Sequence, residues 1–269
     1  MIRGLCLLIA LFGPVALASR ARASAADRPV AGSNYLLADL KLDLLWVEPG
    51  TFVMGSPPDE PGRNRAEGPQ TKVTLSRGFW LGRTEVTQAQ YQAFTGTNPS
   101  RFTGAGPDAP VERVSWLGAM DFCAKLTERE RAAGRLPEGY AYTLPTEAQW
   151  EYASRAGSTA ATPGALATMS WHDDNSGDTT HPVAQLAPNA WGFHDLAGNV
   201  LEWCYDWFGD YPGGAVTDPS GPKEGYFRMA RGGSWRTPLE LGRSAARSGG
   251  SAAREDYTLG FRLALAPAR

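Results

Sequence analysis

Glycine and proline interrupt this chain about once in every five residues, 31 and 20 of them in 269, and that punctuation keeps every element short. Each proline removes a backbone donor, and each interior glycine loosens a helix or strand. A helical bundle is therefore excluded, and the lack of a three-residue period excludes a collagen-like rod. Nine tryptophans accompany them. An indole is a large apolar body with one N–H to satisfy, so this many of them require a substantial core. The expectation is a compact, loop-rich α+β fold built around aromatic side chains.

Local signals place the elements. Thr87-x-x-Gln90 and Thr146-x-x-Gln149 are capping-box patterns, and Ser115 precedes a segment in which Trp116, Met120, Cys123 and Leu126 share one helical face. Gly134 and Gly157 stand where the last two of these helices should stop. Residues 42–56 (LDLLWVEPGTFVMGS) read as strand, Pro-Gly turn and strand, a hairpin, and residues 71–87 as two further short strands. Beyond Gly157 the pattern is loops and short strands. There is no internal repeat and no second hydrophobic centre, so one domain is expected.

At the amino terminus Arg3 precedes an apolar run over residues 4–18, with small-residue sites at 16–18, 21–23 and 23–25. This is the layout of a secretory leader, and the run is short for a membrane span. The expected organisation is a leader over 1–25, an arm or linker over 26–40 and one domain over 41–269. The protein is then periplasmic or secreted, with no membrane span after cleavage. Loss of Arg3, Arg20 and Arg22 takes the formal net charge from -2 to -5. That charge lacks the phosphate-neutralising excess that nucleic acid demands, and favours calcium over polyanions as a partner. Cys123 and Cys204 remain in the mature chain, both in apolar contexts that suit either one disulfide or two buried thiols.

Taken in order, GTFVMGS, FWLGRTEVTQAQYQAF, PVERVSWLGAMDFC, LPTEAQWEYASRAG, PNAWGFHDLAGNVLEWCYDW, RGGSW, RSAARS and LGFRLA form one signature. It closely resembles the formylglycine-generating enzyme family, also called the sulfatase-modifying factor family, over about residues 44–263. The resemblance implies a variant of the C-type-lectin-like fold with two main helices, short strands, many loops and bound calcium. It assigns most of the tryptophans to packing. Authentic members hold copper on a pair of cysteines after GGS[YW] and convert a cysteine of a sulfatase peptide into formylglycine; soft thiolates suit monovalent copper. Here Thr237 takes the first cysteine's place, the following loop is shorter, and no cysteine lies between Arg231 and the C-terminus. Copper is not expected. By the same resemblance, family disulfides are missing: Cys123 matches one half with Leu263 in place of its partner, and Ser154 and Ser244 replace another pair.

The resemblance carries a calcium site onto DLAGNVLEW, with carboxylates from Asp195 and Glu202 and backbone carbonyls from Gly198 and Val200. Hard oxygen donors from a tight turn suit Ca²⁺, although an ordinary solvated turn uses the same residue types. A weaker calcium candidate is WHDDNSGD, through Asn175, Ser176 and Asp178. As an EF-hand it fails, because Gly177 is one position early and Ala184 stands where the bidentate Glu belongs. Nucleotide, zincin and serine-hydrolase signatures are missing, and His172, His181 and His194 are widely spread. The family's peptide groove maps onto Ser234, Trp235, Arg236, Thr237 and Glu240, where an indole face and a guanidinium fork suit peptide or glycan recognition. Two functions remain open on the sequence. One is a calcium-supported binder of a peptide, protein or glycan that assists maturation or assembly; the other is an oxidase of altered chemistry on a peptide or natural-product substrate.

Overall fold

The computed structural model describes residues 28–162 and 165–269; the leader expected over 1–25 lies outside them. From the N-terminal side the chain forms β1 (Tyr35–Leu37), β2 (Leu42–Val47), β3 (Gly50–Met54), β4 (Thr71–Leu75) and β5 (Phe79–Gly82). Then come α1 (Gln88–Thr95), α2 (Trp116–Ala132), β6 (Tyr140–Thr143), α3 (Glu147–Arg155) and a single-turn α4 (Leu166–Met169). The last part carries β7 (Leu201–Trp207), β8 (Ala215–Thr217), β9 (Arg228–Arg231), β10 (Arg247–Gly250), β11 (Leu259–Gly260) and β12 (Ala264–Pro267). The fold is α+β, as composition demanded. Among the described residues the longest helix has 17 residues and the longest strand seven.

Hydroxyl caps start the helices where expected. Thr87 and Thr146 each complete a reciprocal box with Gln90 and Gln149, and Ser115 Oγ accepts the Gly118 N–H at 3.1 Å. These side chains satisfy amides that the first helical turn leaves without partners. After α2 the chain turns at Gly134, with φ of +69°.

The central sheet is antiparallel, in the order β1-β2-β5-β12-β6. Its period-two alternation separates two cores. Leu42, Leu44, Trp80 and Leu265 face one way, into a cluster with Phe122, Cys123 and Leu126 of α2. Leu45, Val47, Phe79, Leu81, Ala264 and Ala266 face the other, packing with Trp150 of α3 and with Cys204. The two cysteines are thus buried in different cores and remain free thiols. A second sheet runs β10-β9-β7-β11 and a third β3-β4-β8. Within the stretch expected as an arm, β1 forms an edge strand, with Tyr35 and Leu37 in the core.

The hairpin expected over residues 42–56 does not form. Both strands are present, but β2 pairs with β1 and β5 while β3 pairs with β4. A tight two-residue hairpin needs positive φ in the turn. Pro49 cannot adopt it, and Glu48, preceding a proline, resists it. The chain instead crosses to another sheet. Among the described residues no helix is long and apolar enough to cross a membrane.

Candidate functional site

Two tight turns frame the site and are bolted together through their backbones. Gly198 N–H donates to Gly232 O at 2.8 Å, and Trp235 N–H donates to Asn199 O at 2.8 Å. The first turn carries positive φ at Asp195, Gly198 and Asn199. A β-carbon at Gly198 would lie 2.1 Å from Trp171 O, so only glycine fits there.

The second turn, residues 232–237, closes on itself through oxygen. Thr237 Oγ1 accepts the Ser234 N–H at 2.9 Å and lies 3.3 Å from Ser234 Oγ, while Thr237 N–H donates to Ser234 O at 2.9 Å. Thr237 also lines a cavity of about 340 Å³ with Gly232, Gly233, Arg63 and Arg243. Trp235 is turned inward, 5% exposed, with its ring 5.3 Å from Phe102 and 6.0 Å from Tyr257. The face expected to stack on a ligand is therefore spent on the core. Arg236 is exposed and donates to Tyr257 Oη at 2.8 Å, and Arg101 lies over Tyr257 and Phe102. Glu240 is exposed on a short 3₁₀ turn beside the cavity.

Copper does not fit this donor set. Threonine oxygen is hard, monovalent copper prefers soft sulfur, and Cys123 and Cys204 are buried in separate cores with burial pushing both thiols up.

The calcium candidates come together in part. Asp195 is 3% exposed; its Oδ2 accepts the Ala184 N–H at 2.8 Å, and its Oδ1 is buried without a hydrogen-bond partner. Glu202 is fully buried and held by Arg262, with Nε to Oε2 at 2.6 Å and Nη2 to Oε1 at 2.5 Å. Trp150 Nε1 adds a third bond to Oε2 at 2.7 Å. Glu85, which the sequence reading missed, joins these acids with both carboxylate oxygens buried and unpaired. Burial, Asp195 and Glu202 together push Glu85 well up, with Arg262 opposing them. Three acids thus face one guanidinium. The orphaned oxygens belong to Glu85 and Asp195 and are hard donors that suit Ca²⁺, whereas both oxygens of Glu202, expected as a ligand, are spent on Arg262 and Trp150. The only signal for Glu85 in the sequence was an acid between Thr84 and Val86, two residues ahead of the Thr87 helix cap.

The weaker candidate is occupied with structural work. Asn175 accepts the His172 N–H and donates to Ser170 O, and Ser176 Oγ donates to Trp235 O at 2.7 Å. Asp178 remains exposed, with φ of +60°. The loop braces the groove turn from below, with His181 stacked on Trp171 at 3.7 Å.

Behind the cavity runs a buried ion network that motif reading did not foresee. Arg247 grips Glu147 at 2.6 and 2.8 Å, Arg243 grips Glu67 at 2.6 and 2.8 Å and also Glu60, and Glu151 is shared by Arg155 and Arg231. Asp206, at its edge, is pushed up to about 7 by burial and by the neighbouring Glu147 charge. Between its unfolded value near 3.8 and about 7 the native state keeps this proton while the unfolded chain has lost it, so stability falls as pH rises through that window. From about pH 5 to pH 8, the wild type should lose roughly 2–3 kcal/mol that Asp206→Asn retains. Denaturant titrations of both proteins at the two pH values check this; parallel pH curves would contradict it.

Comparisons with known proteins agree with this architecture. Residues 39–267 match the family model described as the sulfatase-modifying factor enzyme 1-like domain. Chaperone protein LppX of Paenibacillus barcinonensis is 30% identical over an alignment of 240 residues, covering 72% of this chain and 78% of LppX. A formylglycine-generating enzyme of Streptomyces coelicolor is 36% identical over 180 residues, covering 59% of this chain and 53% of that enzyme, so the match spans about half its length. Among solved structures, Treponema denticola variable protein 1 has a TM-score of 0.76 at 29% identity, covering 87% of this chain and 98% of its own.

Proposed function

Because this chain belongs to the sulfatase-modifying factor enzyme 1-like family, we propose that it is an exported, calcium-supported member that binds a peptide, protein or glycan beside residues 232–237 and assists its maturation or assembly, without copper-dependent formylglycine formation. The observation that carries this reading is Thr237. Its hydroxyl is committed to the Ser234 turn at the place where the copper chemistry would need sulfur, while the cavity and the Arg236–Tyr257 surface around it are fully built. Likeness to a relative named as a chaperone, over 72% of the chain, supports an assisting role.

The chain's own residues then act by binding. Arg236 and Arg101 offer guanidinium forks to ligand carbonyls or carboxylates, and Glu240 offers a carboxylate to a ligand amine or hydroxyl. Of the expected calcium ligands, Asp195 and the Gly198 and Val200 carbonyls would hold the ion, joined by the unpaired Glu85 carboxylate, while Glu202 stays paired with Arg262 and Trp150. The ion would supply positive charge where the acids outnumber Arg262, and so lock the turn that supports residues 232–237.

The test pairs turnover with binding. Purified mature protein is incubated in air with copper and cysteine-containing sulfatase peptides, and oxygen uptake and aldehyde formation are followed. No turnover is expected. In parallel, a displayed library of peptides from exported proteins should yield saturable binders, and Arg236→Ala should weaken them about tenfold. Turnover with stoichiometric transition metal would overturn the proposal, as would binders indifferent to Arg236.

A further inference from the structure

A second cavity, of about 300 Å³, shares Arg247 with the groove cavity and is otherwise lined by different residues. Its sides are apolar: Met54, Val73 and Val216 from the third sheet, with Trp207 and Pro212. The polar end is made by Asp206, Glu147, Arg247 and Tyr211.

Those polar groups are not balanced. In the network each glutamate touches a guanidinium: Glu60 and Glu67 meet Arg243, Glu147 meets Arg247, and Glu151 meets Arg155 and Arg231. Five acids thus face four arginines, and Asp206 is the acid left without a guanidinium. It is 3% exposed, accepts the Glu147 N–H at 2.9 Å, and lines the cavity wall. Arg247, the cation beside it in the cavity, is neutralised by its two-point grip on Glu147. Arg269 and Arg228 act on Asp206 only at longer range and from outside the cavity lining, where Arg269 donates to Gln149 Oε1 at 3.1 Å and Arg228 to Tyr205 O at 2.8 Å.

A buried carboxylate without a counter-ion is costly, and the strain eases if a cation is supplied. The surroundings suit an organic one. Trp207 and Tyr211 bring aromatic rings, each with one face covered by an arginine, Arg228 at 3.5 Å and Arg247 at 4.0 Å; the apolar sides suit a hydrocarbon body. The wall is firm: Pro219 and Pro222 flank Gly221, whose φ of +74° lays the loop against the Asp206 side chain.

We propose that this cavity binds a small organic ammonium ion, an amine carried on an apolar body, with Asp206 as its counter-ion. The two cavities have Arg247 in common, but Asp206 and the apolar sides line this one and not the groove cavity, so the site stands whether or not the groove reading holds.

Calorimetric titration of the full mature chain at pH 8 with cyclohexylammonium, cyclohexanol and cyclohexanecarboxylate tests it. The ammonium should bind about tenfold more tightly than the alcohol, and the carboxylate should not bind. Asp206→Asn keeps an acceptor for the Glu147 N–H and should lose the preference for ammonium while still binding the alcohol. Val216→Trp, on an edge strand, fills the cavity and should abolish binding of both. Circular dichroism checks that each variant is folded. Equal binding of alcohol and ammonium, preference for the carboxylate, no binding by any probe, or an ammonium preference surviving in Asp206→Asn would each overturn the proposal.

Discussion

Replacing Arg262 with methionine should lower the unfolding free energy by about 3–5 kcal/mol, the cost of leaving a buried charge without its partner. Arg262 is fully buried, and besides Glu202 it donates to Gly82 O and His194 O, both at 3.0 Å. Its removal abandons three acids, Glu85, Asp195 and Glu202, in one region. For a chain of this size the loss corresponds to roughly 10 °C in melting temperature. Adding Glu202→Leu to that variant should return about 1–3 kcal/mol, because an apolar pair replaces an uncompensated ion. Chemical denaturation of the single and double variants measures both numbers. A single variant within about 1 kcal/mol of wild type would show that Arg262 is not what holds these acids.

The second large effect is a gain. Ser154 and Ser244, 90 residues apart, are buried with their hydroxyls 3.0 Å from each other. Cysteines at both positions should oxidise to a disulfide, and closing a loop that long should stabilise by about 4–5 kcal/mol through the unfolded chain. The oxidised Ser154→Cys/Ser244→Cys protein should unfold at higher denaturant, and reductant should reverse the gain. Thiols that stay free in the folded protein under oxidant would show that the side chains are not aligned for a bond. The juxtaposition also explains how the fold does without that bridge here: a hydroxyl pair occupies the place and keeps α3 against the segment leading into β10. The other replaced pair is filled differently, with Cys123 and Leu263 in the same apolar core.

How much could be read from sequence follows from how far each determinant reaches. Helix starts at Thr87, Ser115 and Thr146 were legible because a cap is a contact across three residues. Strand existence over 42–54 was legible for the same reason. Strand pairing was not, since β2 takes its partners from residues 35–37 and 79–82 and β3 from 71–75. At the site, the motif signature located both turns, and Asp195 and Glu202 do fall within one electrostatic cluster. Its other members were hidden: Glu85 and Arg262 come from segments more than 50 residues away, and no local pattern links them to the turn. Tyr257 was hidden likewise, and with it the inward packing of Trp235.

The proposal joins a sulfatase-modifying-factor-family scaffold to bound calcium in place of copper. Metal content tests this most directly. The mature protein, purified without chelator or affinity metal and dialysed against trace copper and calcium together, should carry about one calcium per chain and no stoichiometric copper. Removing that calcium should lower the melting temperature. About one copper per chain, with calcium at background and no change on chelation, would contradict the account.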